Sequence, residues 1–259
     1  DYAGHPCDWK SLRQIADKYD LILINDNCHA MGSLYDGSKK YAIKYADVIT
    51  QSYHPVKHIT TGEGGSVLTN NKDLIDKIIS LRSHGIGNGN DKSELNHNDP
   101  WYYEMEKLGY NYRITDFQCA LGSNQLRKLE GFVAKRSLIA EKYNQYFKEI
   151  NNLIIPFVNH DVQHSYHLYP LQINFKSFEI NKRDFFIKMK KSGINLQVHY
   201  IPIHYQPFYA NKFGFKKGDF PNSEKFYENI FSMPIFPSLS SKDLRFIIDS
   251  TIKHLSIKK

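Results

Sequence analysis

Two residues hold the strongest chemical signal in this chain: Lys57, within QSYHPVKHITTGEGG (residues 51–65), and Asp26, within NDNCHAMGS (residues 25–33). A lysine among aromatic neighbours loses solvation, its pKa falls, and the neutral amine can form a Schiff base with a carbonyl. The Gly-Glu-Gly-Gly turn after Lys57 lets the backbone fold tightly beside it, because glycine accepts positive φ without strain. Asp26 follows the apolar run LILIN (residues 21–25). In open α/β sheets ligands bind beyond the carboxyl ends of strands, which is where such a carboxylate would stand. Taken singly, Lys57 also reads as a surface lysine and Asp26 as a turn residue. Together they suit pyridoxal 5'-phosphate (PLP), which needs a lysine to hold it and an acid to keep its pyridine nitrogen protonated.

Positioning these residues calls for strands alternating with helices. Trp9, Leu12, Ile15, Ala16 and Tyr19 fall at helical spacing, and LILIN then reads as a buried strand. Residues 47–52 and 66–69 read as two more strands, with a helix through Leu74, Ile75, Ile78, Ile79 and Leu81 after them. The pattern predicts an α/β fold with a largely parallel sheet. Residues 85–101, polar and rich in Asn and Gly, read as a mobile loop. Thr115 with Gln118 has the spacing of a capping box and opens a third helix. Helical pattern continues over 135–150. Beyond Pro156 we expect a strand at 168–175, a helix at 182–191, a strand near 195–198, a Pro- and aromatic-rich loop and a last helix at 241–255. The domain boundary is placed near residue 135, dividing a large domain (1–135) from a smaller α+β domain (136–259).

The 259 residues carry 34 Lys plus Arg against 27 Asp plus Glu, a net charge of +7, yet the basic residues are dispersed in short pairs such as Lys39-Lys40 and Lys258-Lys259. Without a polybasic block, a solvated surface explains them better than nucleic acid. No apolar run approaches the ~20 residues that span a bilayer, and the opening DYAGHPCDWK lacks a signal-peptide pattern. Cys7, Cys28 and Cys119 have neither an even count nor CxxC spacing, which excludes a disulfide scaffold or zinc ribbon and fits a reducing cytoplasm. No metal site is expected.

Four blocks in order, DYAGHPCDWKSLRQIADKYDLILINDNCHAMGS, SYHPVKHITTGEGG, RSHG (82–85) and GYNYRITDFQCALGSNQL (109–126), resemble the PLP-dependent nucleotide-sugar aminotransferases of the DegT/StrS type. The resemblance implies the aspartate-aminotransferase fold (fold type I) and PLP as cofactor. It assigns Lys57 to the Schiff base and to proton transfer, and Asp26 to the pyridine nitrogen. Ser52 would bind the cofactor phosphate, and Asn111 would reach the phosphate of a neighbouring subunit's PLP, making the protein a homodimer with shared sites. His29 stands where the family often has Gln, near the cofactor's 3-hydroxyl. His54 receives no role beyond packing.

Related sugar dehydratases carry His in place of the lysine, so Lys57 favours transamination from an amino acid, glutamate in the first instance. DYAG, His29 and RSHGI are most similar to members that act on a UDP-linked 4-keto deoxy sugar in pseudaminic acid synthesis. His199 and Tyr200, in VHYIPIHYQPFY (198–209), would contact that substrate. Alternatives are a PLP-dependent dehydratase or epimerase and a non-catalytic fragment. Family members run longer at the amino terminus, where a helix start binds the PLP phosphate. The chain is therefore expected to be a fragment that binds PLP poorly by itself.

Overall fold

A computed structural model of the chain describes residues 1–87 and 99–256. Most of the polar 85–101 stretch and the Lys258-Lys259 pair lie outside the described residues. The elements run α1 (Trp9–Lys18), β1 (Ile24–Asp26), β2 (Leu34–Tyr35), α2 (Tyr41–Tyr45), β3 (Val48–Ser52), β4 (Gly65–Leu68), α3 (Lys72–Arg82), β5 (Ile86–Gly87) and β6 (Glu104–Met105). They continue with α4 (Asp116–Arg127), α5 (Leu129–Phe147), β7 (Leu153–Ile154), β8 (Val162–Gln163), β9 (Tyr169–Ile173), α6 (Lys182–Lys191), α7 (Pro207–Phe213), α8 (Pro221–Asn229), β10 (Ile230–Met233) and α9 (Ser241–His254). The chain divides into two compact units.

One unit comprises Cys7–Cys28 and Ser38–Lys128. Its sheet has the order β1-β3-β4. β1 and β3 run parallel with Asp26 opposite Thr50. β4 returns antiparallel with Gly65 opposite Ser52. The largely parallel sheet expected from the sequence is thus mixed: the link from Ser52 to Gly65 forms no helix, so β4 turns back beside β3 instead of crossing over to a parallel position. Asp8 caps α1 by accepting from Ser11 N–H at 3.1 Å, and Trp9 and Ala16 are its buried residues. Asp47, just before β3, accepts from Leu23 N–H at 2.7 Å and from Arg13 of α1 at 3.0 Å, so one carboxylate fixes helix, β1 and β3.

LILIN does not form the buried strand expected of it. Leu21, Ile22 and Ile24 are 54%, 74% and 61% exposed, and only Asn25 is fully buried. Apolar composition marks a strand that can be covered on both faces, but it does not supply the cover. Among the described residues β1 is an edge with β3 beside it, and the side of the strand that carries Ile22 and Ile24 faces outward. α3 and α4 likewise present no buried residue.

The second unit comprises Asp1–Pro6, His29–Gly37 and Leu129–Lys259. Its core is packed around the sheet β10-β9-β7. β9 alternates, with Tyr169, Leu171 and Ile173 inward. Phe185 and Met189, one turn apart on α6, lie on the same face and are fully buried, as are Tyr143 and Phe147 on α5 and Phe231 on β10. α6 and α9 open on Asn181 and Ser240, whose side chains accept the N–H of Asp184 and Asp243. The strand expected near 195–198 is reduced to a single bridge, Gln197 to Ser232. The aromatic loop after it instead folds as a helical turn at Ile203–Tyr205 and as α7, which starts on Pro207 because proline's fixed φ suits a first helical position. His204 Nε2 and Glu224 Oε1, 3.0 Å apart and both buried, clasp that segment to α8.

Candidate functional site

In the β1-β3-β4 unit, Lys57 sits in the loop that joins β3 to β4. The loop folds back on itself: Lys57 N–H donates to His54 O at 2.9 Å, Thr61 N–H to Tyr53 O at 3.0 Å, and Tyr53 N–H to Gly64 O at 2.8 Å. Two glycines make this possible. Gly64 takes φ of 146°, and a Cβ there would stand 2.6 Å from Thr61 Oγ1. At Gly65 a Cβ would meet Gln51 O at 2.5 Å, so only glycine allows the β3 backbone so close. Gln118, the capping-box residue of α4, donates to Glu63 O at 2.8 Å and ties the loop to that helix. His54, expected to pack, is exposed, with its ring 3.9 Å from Glu63.

Lys57 is half-buried. Burial draws its pKa below the ordinary lysine value, while Cys28 and Asp26 pull it back up. The Asp26 carboxylate, at the end of β1, thus lies within electrostatic reach of the amine. Asp26 Oδ1 accepts Cys28 N–H at 3.1 Å. The thiol of Cys28 points to Thr50 O, and burial together with Asp26 pushes its pKa up to about 11, so it is protonated at neutral pH. Ser52, the last residue of β3, presents its Oγ to His54 N–H at 3.4 Å. The structure therefore brings together three of the residues singled out from sequence, Asp26, Ser52 and Lys57, at the same end of two parallel strands and the loop that leaves them. Asn111 belongs to this unit too and pairs with Ser83 in an isolated bridge. It is exposed, on a strand-like segment where Tyr110 and Tyr112 N–H bond Leu81 and Arg82 O at 2.7 and 2.9 Å.

His29, His199 and Tyr200 belong to the second unit and meet there. Tyr200 Oη lies 3.4 Å from His29 Nε2, and their rings stack at 6.4 Å. His199 Nδ1 is 2.8 Å from Ser232 Oγ on β10. Three residues missed in the sequence complete the cluster. Tyr2 donates to His199 O at 2.7 Å, and burial beside Tyr200 pushes its pKa up to about 12. The ring of His167 faces that of His29 at 4.3 Å. Arg136 of α5, buried, donates from Nη1 to the carbonyls of Tyr166, His167 and Ile235 at 3.0, 3.2 and 2.9 Å. No local pattern announces them, since each acquires its partner from a distant part of the chain.

Residues 1–251 match the DegT/DnrJ/EryC1/StrS aminotransferase family. The chain belongs to that family. A UDP-4-amino-4,6-dideoxy-N-acetyl-β-L-altrosamine transaminase of Campylobacter jejuni is 38% identical over 260 residues, covering 100% of this chain and 65% of the relative. An uncharacterised protein of Methanocaldococcus jannaschii is 42% identical over 255 residues, covering 98% of this chain and 65% of its own length. Among solved structures, the Helicobacter pylori aminotransferase PseC, involved in pseudaminic acid biosynthesis, superposes with a TM-score of 0.87 at 31% identity, covering 99% of this chain and 65% of PseC. The chain thus spans about 65% of the length of the relatives it matches, and its fold is that of the fold type I aminotransferases. No helix among the described residues is long and apolar enough to cross a membrane.

Proposed function

We propose that the protein to which this chain belongs is a PLP-dependent transaminase. It would move an amino group from an amino acid, glutamate, to the 4-keto group of a UDP-linked deoxy sugar, in pseudaminic acid or related surface-polysaccharide synthesis. The observation that carries this reading is the half-buried Lys57, with its pKa drawn down by burial, held in the field of the Asp26 carboxylate. Relatives named for altrosamine transamination and PseC give the substrate class its support. A cytoplasmic homodimer is part of the same proposal.

The residues fit the cofactor's chemistry. Bound PLP supplies an electron sink that stabilises negative charge at the amino-bearing carbon. Lys57 would hold the cofactor covalently and would carry a proton at Nζ to and from that carbon, a task that requires the neutral amine burial favours. Asp26 would accept the pyridine N–H and so keep the ring protonated. Ser52 Oγ would donate to the phosphate, and exposed Asn111 would reach the phosphate of a second chain. His29 would bond the 3-oxygen, while His199 and Tyr200 would contact the sugar. A dehydratase or epimerase is the second reading, and Lys57 at the position where related sugar dehydratases carry His weighs against the dehydratase.

Incubation with PLP, borohydride reduction and mapping by mass spectrometry test the assignment. A pyridoxyl adduct confined to Lys57 is expected, faint in this chain and strong in a chain extended to the relatives' length. Absence of the adduct at Lys57 in the extended chain overturns the reading. Product formation from a UDP-4-keto sugar without an amino donor would favour the dehydratase or epimerase.

A further inference from the structure

The second unit holds a histidine whose two ring nitrogens are told apart by the backbone. Ala3 N–H donates to His29 Nδ1 at 3.4 Å. A nitrogen that accepts a hydrogen bond carries its lone pair there, so the neutral ring keeps its proton on Nε2. That N–H points at Tyr200 Oη, 3.4 Å away. One face of the ring is covered by His167 at 4.3 Å and an interplanar angle of 39°. Tyr2 stands further out, at 6.3 Å.

The parts that hold this arrangement share one backbone frame. Ser165 N–H donates to Gly4 O at 3.0 Å and Leu168 N–H to Ala3 O at 3.1 Å, so the segment that carries His167 is laced to the segment that carries the Ala3 amide. Ser165 Oγ adds a bond to His29 O at 3.3 Å. Gly4 allows the close approach: a Cβ there would lie 2.8 Å from Tyr166 N, and its φ is 104°. Arg136 fixes the same frame from below through the Tyr166 and His167 carbonyls.

We infer that His167 is a positioning residue: with the Ala3 amide it fixes the ring plane and the Nε2–H tautomer of His29, making His29 a hydrogen-bond donor toward an oxygen acceptor. This rests on the reading that His29 bonds the cofactor's 3-oxygen. There it adds a direction, since a donor at that oxygen favours its anionic form. Gln at the same place offers either an N–H or a C=O and needs other groups to decide between them.

Long-range proton–nitrogen correlation spectra of the ¹⁵N-labelled chain report imidazole tautomers directly. The expected result is an unprotonated Nδ1 and a protonated Nε2 for His29, retained in His167→Phe, which keeps a flat ring, and lost to a tautomer mixture in His167→Ala. A Nδ1-protonated His29 in the wild type overturns the inference, and so does a His29 signal unchanged in His167→Ala. If His167→Ala does not fold, the wild-type spectrum and His167→Leu, which fills the space without a flat ring, decide it in the same terms. The reading beneath it is tested separately by the absorbance of the PLP-loaded chain extended to the relatives' length. His29→Phe and His167→Ala should shift the maximum in the same direction, with His167→Phe unshifted. A tautomer as expected with no shift in His29→Phe overturns the 3-oxygen assignment and with it this role for His167.

Discussion

The side-chain amide of Gln51 donates to Asn27 Oδ1 at 2.6 Å, and Asn27 in turn donates to Tyr41 Oη at 2.7 Å. Asn27 follows Asp26 and Gln51 precedes Ser52, so this bond between buried and half-buried carboxamides fixes the two strand ends that present the candidate site. Replacing Asn27 by Leu leaves Gln51 and the Tyr41 hydroxyl without these partners. The expected cost is about 1–3 kcal/mol, read as a lower urea midpoint. The Lys57 adduct should weaken with it.

The pH profile of the Lys57 adduct follows from the direction of its pKa. Burial favours the neutral amine, so Lys57 should label at a lower pH than the exposed lysines. The Asp26 carboxylate opposes that shift. Asp26→Asn removes a charge that favours the ammonium, and the labelling curve of Lys57 should move to still lower pH even as catalysis is lost. A curve that does not move, measured by reduction at a series of pH values, would show that the two groups do not interact.

Asp47 offers a stability test. The Leu23 amide and Arg13 hold its carboxyl below the ordinary 3.8 against an opposing push from burial. A carboxyl depressed in the folded state stabilises it above the unfolded value and loses that contribution as pH falls through the folded one. Its side chain is 43% exposed, so screening keeps the effect to about 1 kcal/mol or less. Thermal melts of Asp47→Asn should fall below wild type at pH 7 and converge with it below pH ~3.

Much of this layout could be read locally. Thr115 and Gln118 stand as the capping box that their spacing implied, with both reciprocal bonds present. The helix expected at 182–191 forms over that span because Asn181 caps it and Phe185 and Met189 share a face. Asp26 and Lys57 stood out locally because one follows an apolar run and the other precedes a glycine turn, whereas Ser52 was reached only through the family resemblance. LILIN misled because hydropathy does not specify what covers a strand. Tyr2, Arg136 and His167 stayed hidden because their roles exist only once residues far apart in the chain are adjacent.

Arg136 carries the last test. Arg136 is 4% exposed, and its guanidinium serves three carbonyls. Arg136→Met keeps most of the volume but strands those oxygens, with an expected loss on the order of 3 kcal/mol in equilibrium unfolding. Such a loss should come with freer hydrogen exchange at residues 166–168.

The unit built from Asp1–Pro6, His29–Gly37 and Leu129–Lys259 also constrains how the polypeptide can be made. Leu34 and Tyr35 pair with Gln163 and Val162, and Ala3 accepts from Leu168. On a ribosome working from the amino end, these early segments emerge long before their partners exist. They must wait, uncommitted, through synthesis of the whole intervening unit. Loop closure over such separations is slow, and exposed apolar segments in the interval attract chaperones or one another. The most fragile moment in the life of this protein should therefore fall during translation, before residues 162–168 leave the exit tunnel.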